Sequence, residues 1–388
     1  MLLIKTAAVT LNQTPLDWSG NLRRIRQALA EGREKGIQLF VFPELCVTGY
    51  GCEDAFHGTG HSRRALEFVK ELAPETKGVV AVVGAPVRLH SGLFNGAFFL
   101  IDGKIAAIVA KQYLAGDGVH YEPRWFRAWE AKKSIEIDIA GEKVPFGDVM
   151  LEVGGVRIGS EICEDAWVPN RPAIRLAAAA CDIIAGPSAS HFAFGKAASR
   201  ERIVTEGSRA TGTAYLFANA LGNESGRIIF DGQRVIATGG EVVARGDHLS
   251  FREFALTEAI LDIETMRMRR ARTFSLEAGM DTTRVVELPF EWKEQSEPVA
   301  VPHHLPPPFM SKEDEFARAV ALGLHDYMRK SRSRGFVVSL SGGADSAATA
   351  ILAALSVKLP LIELGEDELR RRLEYLDWNP EKLCGGLL

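Results

Sequence analysis

Three side chains that could act on a carbonyl group each follow an apolar run. They are Glu44 after "LFVFP", Lys111 after "IAAIVA" and Cys163 after "VRIGSEI". A cysteine can attack an amide carbon and divide one difficult step into two through a thioester. It needs a group that takes its proton and later hands it to departing ammonia, and one carboxylate within reach can do both. The tetrahedral intermediate needs positive charge or N–H groups at its oxygen, which a lysine and a backbone amide can supply. The setting of Cys163, "GSEICEDAW", places it directly before two acids. Negative neighbours oppose formation of the thiolate, the nucleophilic form. Lys111 is expected to offset that charge. Successive side chains at a strand end point in different directions, so Glu164 and Asp165 need not face the sulfur. Taken singly, a glutamate or lysine after a strand is an ordinary solvated residue, and a cysteine there is commonly packing. Their shared position at strand ends, where ligands gather in α/β sheets, makes the trio a candidate site.

A second constellation is "VVSLSGGADSAATAILAAL" at 337–355, which reads as a strand, a glycine-rich loop and an apolar helix. Glycines admit a phosphate close to the backbone, and a helix N-terminus adds N–H groups and its positive dipole end. Ser341 and Ser346 add hydroxyl donors. Asp345 beside a phosphate makes sense with a bridging metal. The GKS/T ending of a Walker A loop is missing.

The elements that must position these groups are mostly buried strands. Candidates span 2–11, 38–45, 79–87, 95–102, 104–111, 156–163, 182–190 and 214–221, rich in Val, Ile, Leu and Phe with little alternation. Helical patterns run over about 20–34, with Leu22, Ile25 and Leu29 on one face, and about 61–73, with Leu66, Val69 and Leu72. "DGK" at 102–104 predicts a tight hairpin and hence a mixed sheet, and "FDG" at 230–232 predicts a similar turn. The segment 291–310 carries five prolines without periodicity, an extended linker in which His303 and His304 read as solvated. A helix resumes beyond it with Phe316, Val320, Leu324 and Tyr327 as its apolar stripe.

At 388 residues the length suggests two or three domains. A net charge of −4 and a pI near 6.2 give no reason to expect a nucleic-acid partner. No apolar run is expected to span a bilayer, and "MLLIKTAAVTL" reads as a first strand rather than a signal peptide. Five cysteines with no CxxC pair argue against a disulfide framework or zinc ribbon, so a reducing cytoplasm with free thiols is expected. Cys46, Cys52 and Cys181 read as packing thiols.

The residues around the trio resemble a known family. "FPELCVTGYGCED" (42–54), "KQYL" (111–114) with "YEPRWF" (121–126), and "CEDAW" (163–167) are similar to the three signature regions of the nitrilase, or carbon–nitrogen hydrolase, superfamily. The resemblance implies a nitrilase-like four-layer αββα sandwich over 1–275. It implies Glu44 as general base and acid, Lys111 at the oxyanion, Cys163 as nucleophile, and Glu122 as a second glutamate that orients them. The Glu164 N–H would be the second oxyanion donor. "SASHFAFGKAASRERIV" (188–204) resembles the glutamine pocket in the amidase domains of the glutamine-dependent NAD+ synthetase family. There Ser190 and Lys196 would face the substrate's α-carboxylate and α-amino group. Lys196 stands where other members carry an arginine, and Asp117 where some have a substrate-contacting tyrosine.

"SGGADS" resembles the PP-loop of ATP pyrophosphatases, which implies that Ser339, Ser341, Gly342, Gly343 and Ser346 bind ATP and that Asp345 helps bind Mg²⁺. The chain is therefore expected to hold an amidase domain (1–275), a Pro-rich linker (276–310), and the beginning of a doubly wound α/β PP-loop domain (311–388). Such domains need about 100–150 residues, so this last part is expected to be incomplete and unable to make NAD+ alone. The family combination implies a homo-oligomer that hydrolyses glutamine and, with ATP and Mg²⁺, amidates nicotinic acid adenine dinucleotide. The amidase step needs no cofactor. A stand-alone amidase on another small amide, or a catalytically silent nucleotide-binding fragment, stay open as alternatives.

Overall fold

The unalternating apolar runs of the first three hundred residues form two facing sheets. The computed structural model describes residues 2–272, 283–295 and 310–376. The first sheet is laid down by β1 (Leu3–Leu11), β2 (Leu39–Val41), β3 (Val80–Leu89), β4 (Gly92–Ile101), β5 (Lys104–Ala110), β6 (Ser134–Ile139) and β7 (Glu142–Gly147). The second follows with β8 (Val149–Val153), β9 (Val156–Ser160), β10 (Ile183–Ser188) and β11 (Ala214–Asn219). A separate hairpin of β12 (Leu221–Glu224) and β13 (Ile228–Asp231) precedes β14 (Arg234–Thr238) and β15 (Glu241–Arg245). The strand β16 (Phe254–Asp262) returns to the first sheet, and β17 (Arg284–Leu288) closes the second. The resulting orders are β16-β1-β2-β3-β4-β5-β7-β6 and β15-β14-β11-β10-β9-β8-β17.

Parallel pairs (β1 with β2, β10 with β11) and antiparallel pairs (β3 with β4) occur together, so the sheets are mixed as expected. The "DGK" turn joins β4 to β5 with Asp102 at φ +46° and Gly103 at φ +89°, both left-handed as a two-residue hairpin loop requires. The "FDG" segment does otherwise. Asp231 ends β13, which pairs with β12, and the chain passes through Gly232 to β14 in the other sheet. Its turn connects two assemblies instead of two paired strands.

Residues facing inward from both sheets share one core, among them Val41, Val82 and Phe99 from the first and Leu151, Ile158 and Leu216 from the second. The helices α1 (Trp18–Glu34) and α2 (Thr59–Leu72) cover the outer face of the first sheet, burying Leu22, Ile25, Leu29, Val69 and Leu72. The short α3 (Glu122–Trp125) packs on the turn at 53–57, while α4 (Pro172–Ala178) and α5 (Lys196–Thr211) cover the second sheet through Ala173, Leu176 and Val204. The layers are thus α, β, β and α. After β16 comes α6 (Ile263–Ala271), whose N-cap Asp262 accepts from the Thr265 N–H.

Four expectations for the C-terminal part need correction. Part of the segment expected as linker is β17, which pairs in parallel with β8, and Trp292 beyond it donates its indole N–H to the Val153 carbonyl. Most of the proline run, with His303 and His304, lies outside the described residues. Next, α7 (Lys312–Ser331) does not bury the expected stripe, because Phe316 and Tyr327 are about half exposed while Ala319, Leu322, Asp326 and Met328 are buried. The face turned to β12 and its neighbours is mixed, with Ala319, Ala321 and Leu322 clustered on Leu221, Leu249 and Phe251 beside a buried charged patch. Asp326 accepts from Asn12 Nδ2 at 2.9 Å and the Asn223 N–H at 2.9 Å, and Lys330 Nζ donates to the Gln13 and Asn223 carbonyls. Buried charge is retained where it is paired and hydrogen-bonded, so this face docks by ions as well as by small apolar side chains other than the expected stripe.

Finally, residues 337–340 are not a strand, and Val337 and Leu340 are exposed. Among the described residues from 310 to 376 the regular elements are helices only: α7, α8 (Ala344–Leu364) and α9 (Glu366–Arg372). A PP-loop strand needs sheet neighbours, and none is present there among the described residues. With a mean hydropathy of 1.7 over its apolar window, α8 is long and apolar enough to cross a membrane by length and composition, contrary to the sequence expectation. In the fold it lies against α7, with Leu355 and Leu359 packed on the cluster that holds Ala319 and Leu322.

Candidate active site

Each member of the trio sits just beyond a strand rather than on it. Lys111 directly follows β5, and its N–H donates to the Asn95 carbonyl on β4. Glu44 lies in a turn after β2, pinned where the Phe42 and Val47 amides donate to Val82 and Gly84 of β3. Cys163 opens a one-turn 3-10 helix after β9 and adopts φ +49°, a strained left-handed conformation for a residue with a side chain. Asp165 holds that turn. One of its oxygens accepts the Ile162 N–H, and the other accepts the Gln112 and Tyr113 N–H groups at 3.0 and 2.8 Å. The acid next to the cysteine therefore ties the cysteine turn to the chain after Lys111, with its charge spent on backbone donors. Burial nonetheless raises the Asp165 carboxyl to about 7.

The charged members converge in a fully buried cluster. Lys111 Nζ lies 2.6 Å from Glu44 Oε1 and 2.7 Å from Glu122 Oε1. Glu44 Oε1 also accepts from Asn95 Nδ2 at 2.7 Å, and its Oε2 accepts the Ala189 N–H at 3.0 Å. Glu122 Oε1 accepts from Tyr50 Oη at 2.7 Å, and Oε2 accepts the Ala115 N–H at 3.0 Å. One ammonium between two carboxylates leaves a net negative charge without solvent. Burial accordingly pushes Glu44 up to about 7, with Lys111 opposing and Glu122 assisting. Burial disfavours the Lys111 charge, but Glu122 and Glu44 outweigh it and hold the ammonium well above its ordinary range.

Burial also drives the Cys163 thiol well above its ordinary value, reinforced by the Glu44 charge and only partly offset by Lys111. The expected offset is thus incomplete, and the resting group is a thiol. Its difficulty comes from burial and from distant acids rather than from its sequence neighbours. Cys46, Cys52 and Cys181 are buried thiols pushed up to about 12, consistent with packing roles.

Cys163 reaches a cavity of about 200 Å³, a size suited to a small metabolite. Glu164, Ser190 and Lys196 line it, and Asp117 stands on its wall as well. Ser190 is fixed by its N–H donating to Asn219 Oδ1 at 2.8 Å. Lys196 Nζ lies 5.8 Å from the centre of the Trp167 ring. Burial raises the half-buried Glu164 carboxyl and lowers the Lys196 ammonium. The wall therefore offers two carboxylates and one cation, an arrangement complementary to a zwitterion that carries both an ammonium and a carboxylate. Sequence reasoning missed Tyr50, Asn95, His120 and His191. "TGY" and "GVHYEP" held the first and third in plain view, but nothing local marks Tyr50 as a partner of Glu122 or His120 as a partner of Tyr50.

The expected ATP-binding residues are not part of this cavity. Ser339, Ser341, Gly342, Gly343 and Asp345 are exposed at and before the N-terminus of α8, with Ser346 in its first turn. Gly342 has φ +82° with open space where a Cβ would project, and the nearest atom to a Cβ on Gly343 is the Ser341 hydroxyl at 3.6 Å. The Ser341 and Ser346 hydroxyls lie 3.3 Å apart. That open cradle fits a phosphate chain. Among the described residues no group of three or more His, Cys, Asp or Glu side chains could hold a metal, and Asp345 belongs to none.

Comparison with known proteins agrees with the geometry. The chain is 32% identical to a glutamine-dependent NAD(+) synthetase of Oryza sativa subsp. indica over 95% of its own length and 53% of that protein's. A crystal structure of a glutamine-dependent NAD(+) synthetase from Cytophaga hutchinsonii superposes with a TM-score of 0.80 at 36% identity, covering 96% of this chain and 55% of that one. The fold is shared with a glutamine-dependent NAD+ synthetase from Acinetobacter baumannii solved with ADP, at 21% identity and a TM-score of 0.69, over 92% of this chain and 57% of that one. The chain thus spans about half the length of the relatives it matches. Residues 5–267, which carry every member of the buried cluster and the cavity wall, match the carbon-nitrogen hydrolase family, and the chain belongs to that family.

Proposed function

We propose that this chain carries the glutamine-hydrolysing site of a glutamine-dependent NAD+ synthetase. In the complete protein the released ammonia would serve ATP-dependent amidation of nicotinic acid adenine dinucleotide, in an assembly of several copies. The observation that carries the reading is the buried Glu44–Lys111–Glu122 cluster set against Cys163 at a cavity whose charges match an amino acid.

The chemistry follows from the proton inventory. Cys163 rests as a thiol and Glu44 titrates near neutrality, so Glu44 takes the thiol proton as Sγ attacks the amide carbon. Lys111 spends two N–H bonds on Glu44 and Glu122, which leaves its third for the developing oxyanion, beside the Glu164 N–H. The C–N bond breaks as Glu44 passes its proton to the leaving nitrogen. Water then cleaves the thioester, giving glutamate and restoring the thiol. Glu164 or Asp117 would take the substrate ammonium, and Ser190 and Lys196 its carboxylate. At the second site ATP would activate a carboxylate by adenylation, with Mg²⁺ beside Asp345. The chain's own part is to cradle phosphates with Ser341, Gly342, Gly343 and Ser346, next to Ser339.

The purified chain is expected to release ammonia and glutamate from glutamine and to prefer glutamine over propionamide. Faster propionamide turnover would favour a general amidase, and no turnover of either would overturn the reading. Because only the ionised Glu44 can accept a proton, kcat/KM should fall about tenfold per pH unit below about 7. A profile flat down to pH 5 would remove Glu44 from the role of base.

Gly84 offers an independent check on the Glu44 turn. A Cβ there would lie 2.1 Å from the Leu45 nitrogen and 2.8 Å from the Glu44 carbonyl carbon. Gly84→Ala must displace that backbone, and a shift of about 1 Å in a catalytic group costs roughly 100-fold in rate. Steady-state turnover of a variant with unchanged circular dichroism measures this, and a near-normal rate would mean the turn yields freely.

A further inference from the structure

Two histidines on the cavity wall, His120 buried and His191 half-buried, have no part in the reaction described above. His120 Nδ1 lies 3.0 Å from Tyr50 Oη, and His120 Nε2 lies 2.9 Å from His191 Nδ1. Lys196 Nζ lies 3.0 Å from His191 Nδ1 and 3.1 Å from its Nε2. Tyr50 Oη in turn reaches Glu122 Oε1. The direction of every proton in this chain is set by its end. The Glu122 carboxylate only accepts, so Tyr50 donates to it. The Tyr50 oxygen then accepts from His120 Nδ1–H, which leaves His120 Nε2 as an acceptor for His191 Nδ1–H. His191 Nε2 is left with the ring's lone pair, and Lys196 Nζ sits against both ring nitrogens, of which Nε2 is the one that can accept. The opposite tautomers would bring the Tyr50 and Glu122 oxygens together with no proton between them. Burial, reinforced by neighbouring cations, holds His191 down to about 4 and His120 down to about 3, so both rings are neutral as the chain requires.

We propose that His191 and His120 are positioning residues that fix the Lys196 ammonium on the substrate-cavity wall and tie it, through Tyr50, to Glu122. The preference for an amide bearing a carboxylate would then depend on His191 as well as on the cation itself. This rests on the glutamine reading above, and it adds what sets the cation's position. A lysine has a mobile stem and a point charge with no fixed direction. A neutral imidazole acceptor at the end of a one-way chain supplies the missing direction.

The test compares the rate of Cys163 alkylation by a chloroketone analogue of glutamine with alkylation by iodoacetamide, which carries no amino-acid group. In the unmodified chain the glutamine analogue should react preferentially; if it shows no preference, the glutamine reading itself fails. Given that preference, His191→Ala is expected to slow the analogue about tenfold, as loss of a hydrogen bond to a charged group implies. Iodoacetamide should change less than threefold. A preference left intact in His191→Ala overturns the proposal, and so does an equal loss with both reagents, which would mark a general collapse. His120→Asn keeps an N–H for Tyr50, so its maximal alkylation rate should exceed that of His120→Ala. Identical behaviour of those two variants would break the link to Glu122.

Discussion

Cys163→Ala is expected to lower glutamine hydrolysis by about 10⁴-fold or more, the scale seen when a covalent nucleophile is removed. The fold should survive it. Alanine at φ +49° carries the same backbone penalty as cysteine, and the turn is held by Asp165 rather than by the sulfur. The same variant should lose labelling by the chloroketone, because Cys163 is the one thiol on the cavity wall among the described residues, while Cys46, Cys52 and Cys181 are enclosed in cores. Mass spectrometry of the labelled chain together with ammonia release reads both effects. Hydrolysis persisting within tenfold of the parent would remove Cys163 as nucleophile.

Lys111→Met is expected to be nearly as severe, for a different reason. It leaves Glu44 and Glu122 buried and facing each other without their shared cation. Two such carboxylates cannot both stay ionised, so one takes up a proton. Glu44 already sits near 7 with Lys111 in place, and without it the carboxyl rises further. The base is then protonated at neutral pH, and the acid limb of the rate profile should move upward by more than about one unit. Loss of the oxyanion cation adds roughly 10²–10³-fold to the drop in kcat. Breaking a buried ion pair from one side costs about 3–5 kcal/mol of stability, measurable by urea unfolding. An unshifted acid limb, at any level of residual activity, would contradict the cluster described for Glu44.

Much of this site was legible in the sequence. "PELCVTGY", "KQYL", "YEPRWF" and "CEDAW" mark Glu44, Lys111, Glu122 and Cys163 because catalytic groups at strand ends keep short, characteristic surroundings. A layered α/β fold with mixed sheets followed from unalternating strands and from the faces of α1 and α2, since burial on both faces leaves a local imprint on residue type, while the αββα order came with the family resemblance. Less legible was the C-terminal part. The apolar stripe expected on α7 pointed away from its polar contact with Asn12 and Asn223, and the strand expected at 337–340 has no described neighbour to pair with.

By itself the sequence determined which residues could do chemistry, the hairpin at Asp102–Gly103 and the run of strands and helices from β1 to β5, because these rest on side-chain type and on backbone preferences within a few residues. Only the tertiary structure decided which of those groups meet. The Ala189 N–H reaches Glu44 across 145 positions, Asp165 reaches Gln112 and Tyr113 across 53 and 52, and His120 meets His191 across 71. Such contacts depend on the register of two sheets packed face to face and on which strands become neighbours, as when β5 pairs with β7 and passes over β6. That packing also removes water from the site. Burial is what brings Glu44 to neutrality and keeps Cys163 a thiol, and no stretch of sequence carries it alone.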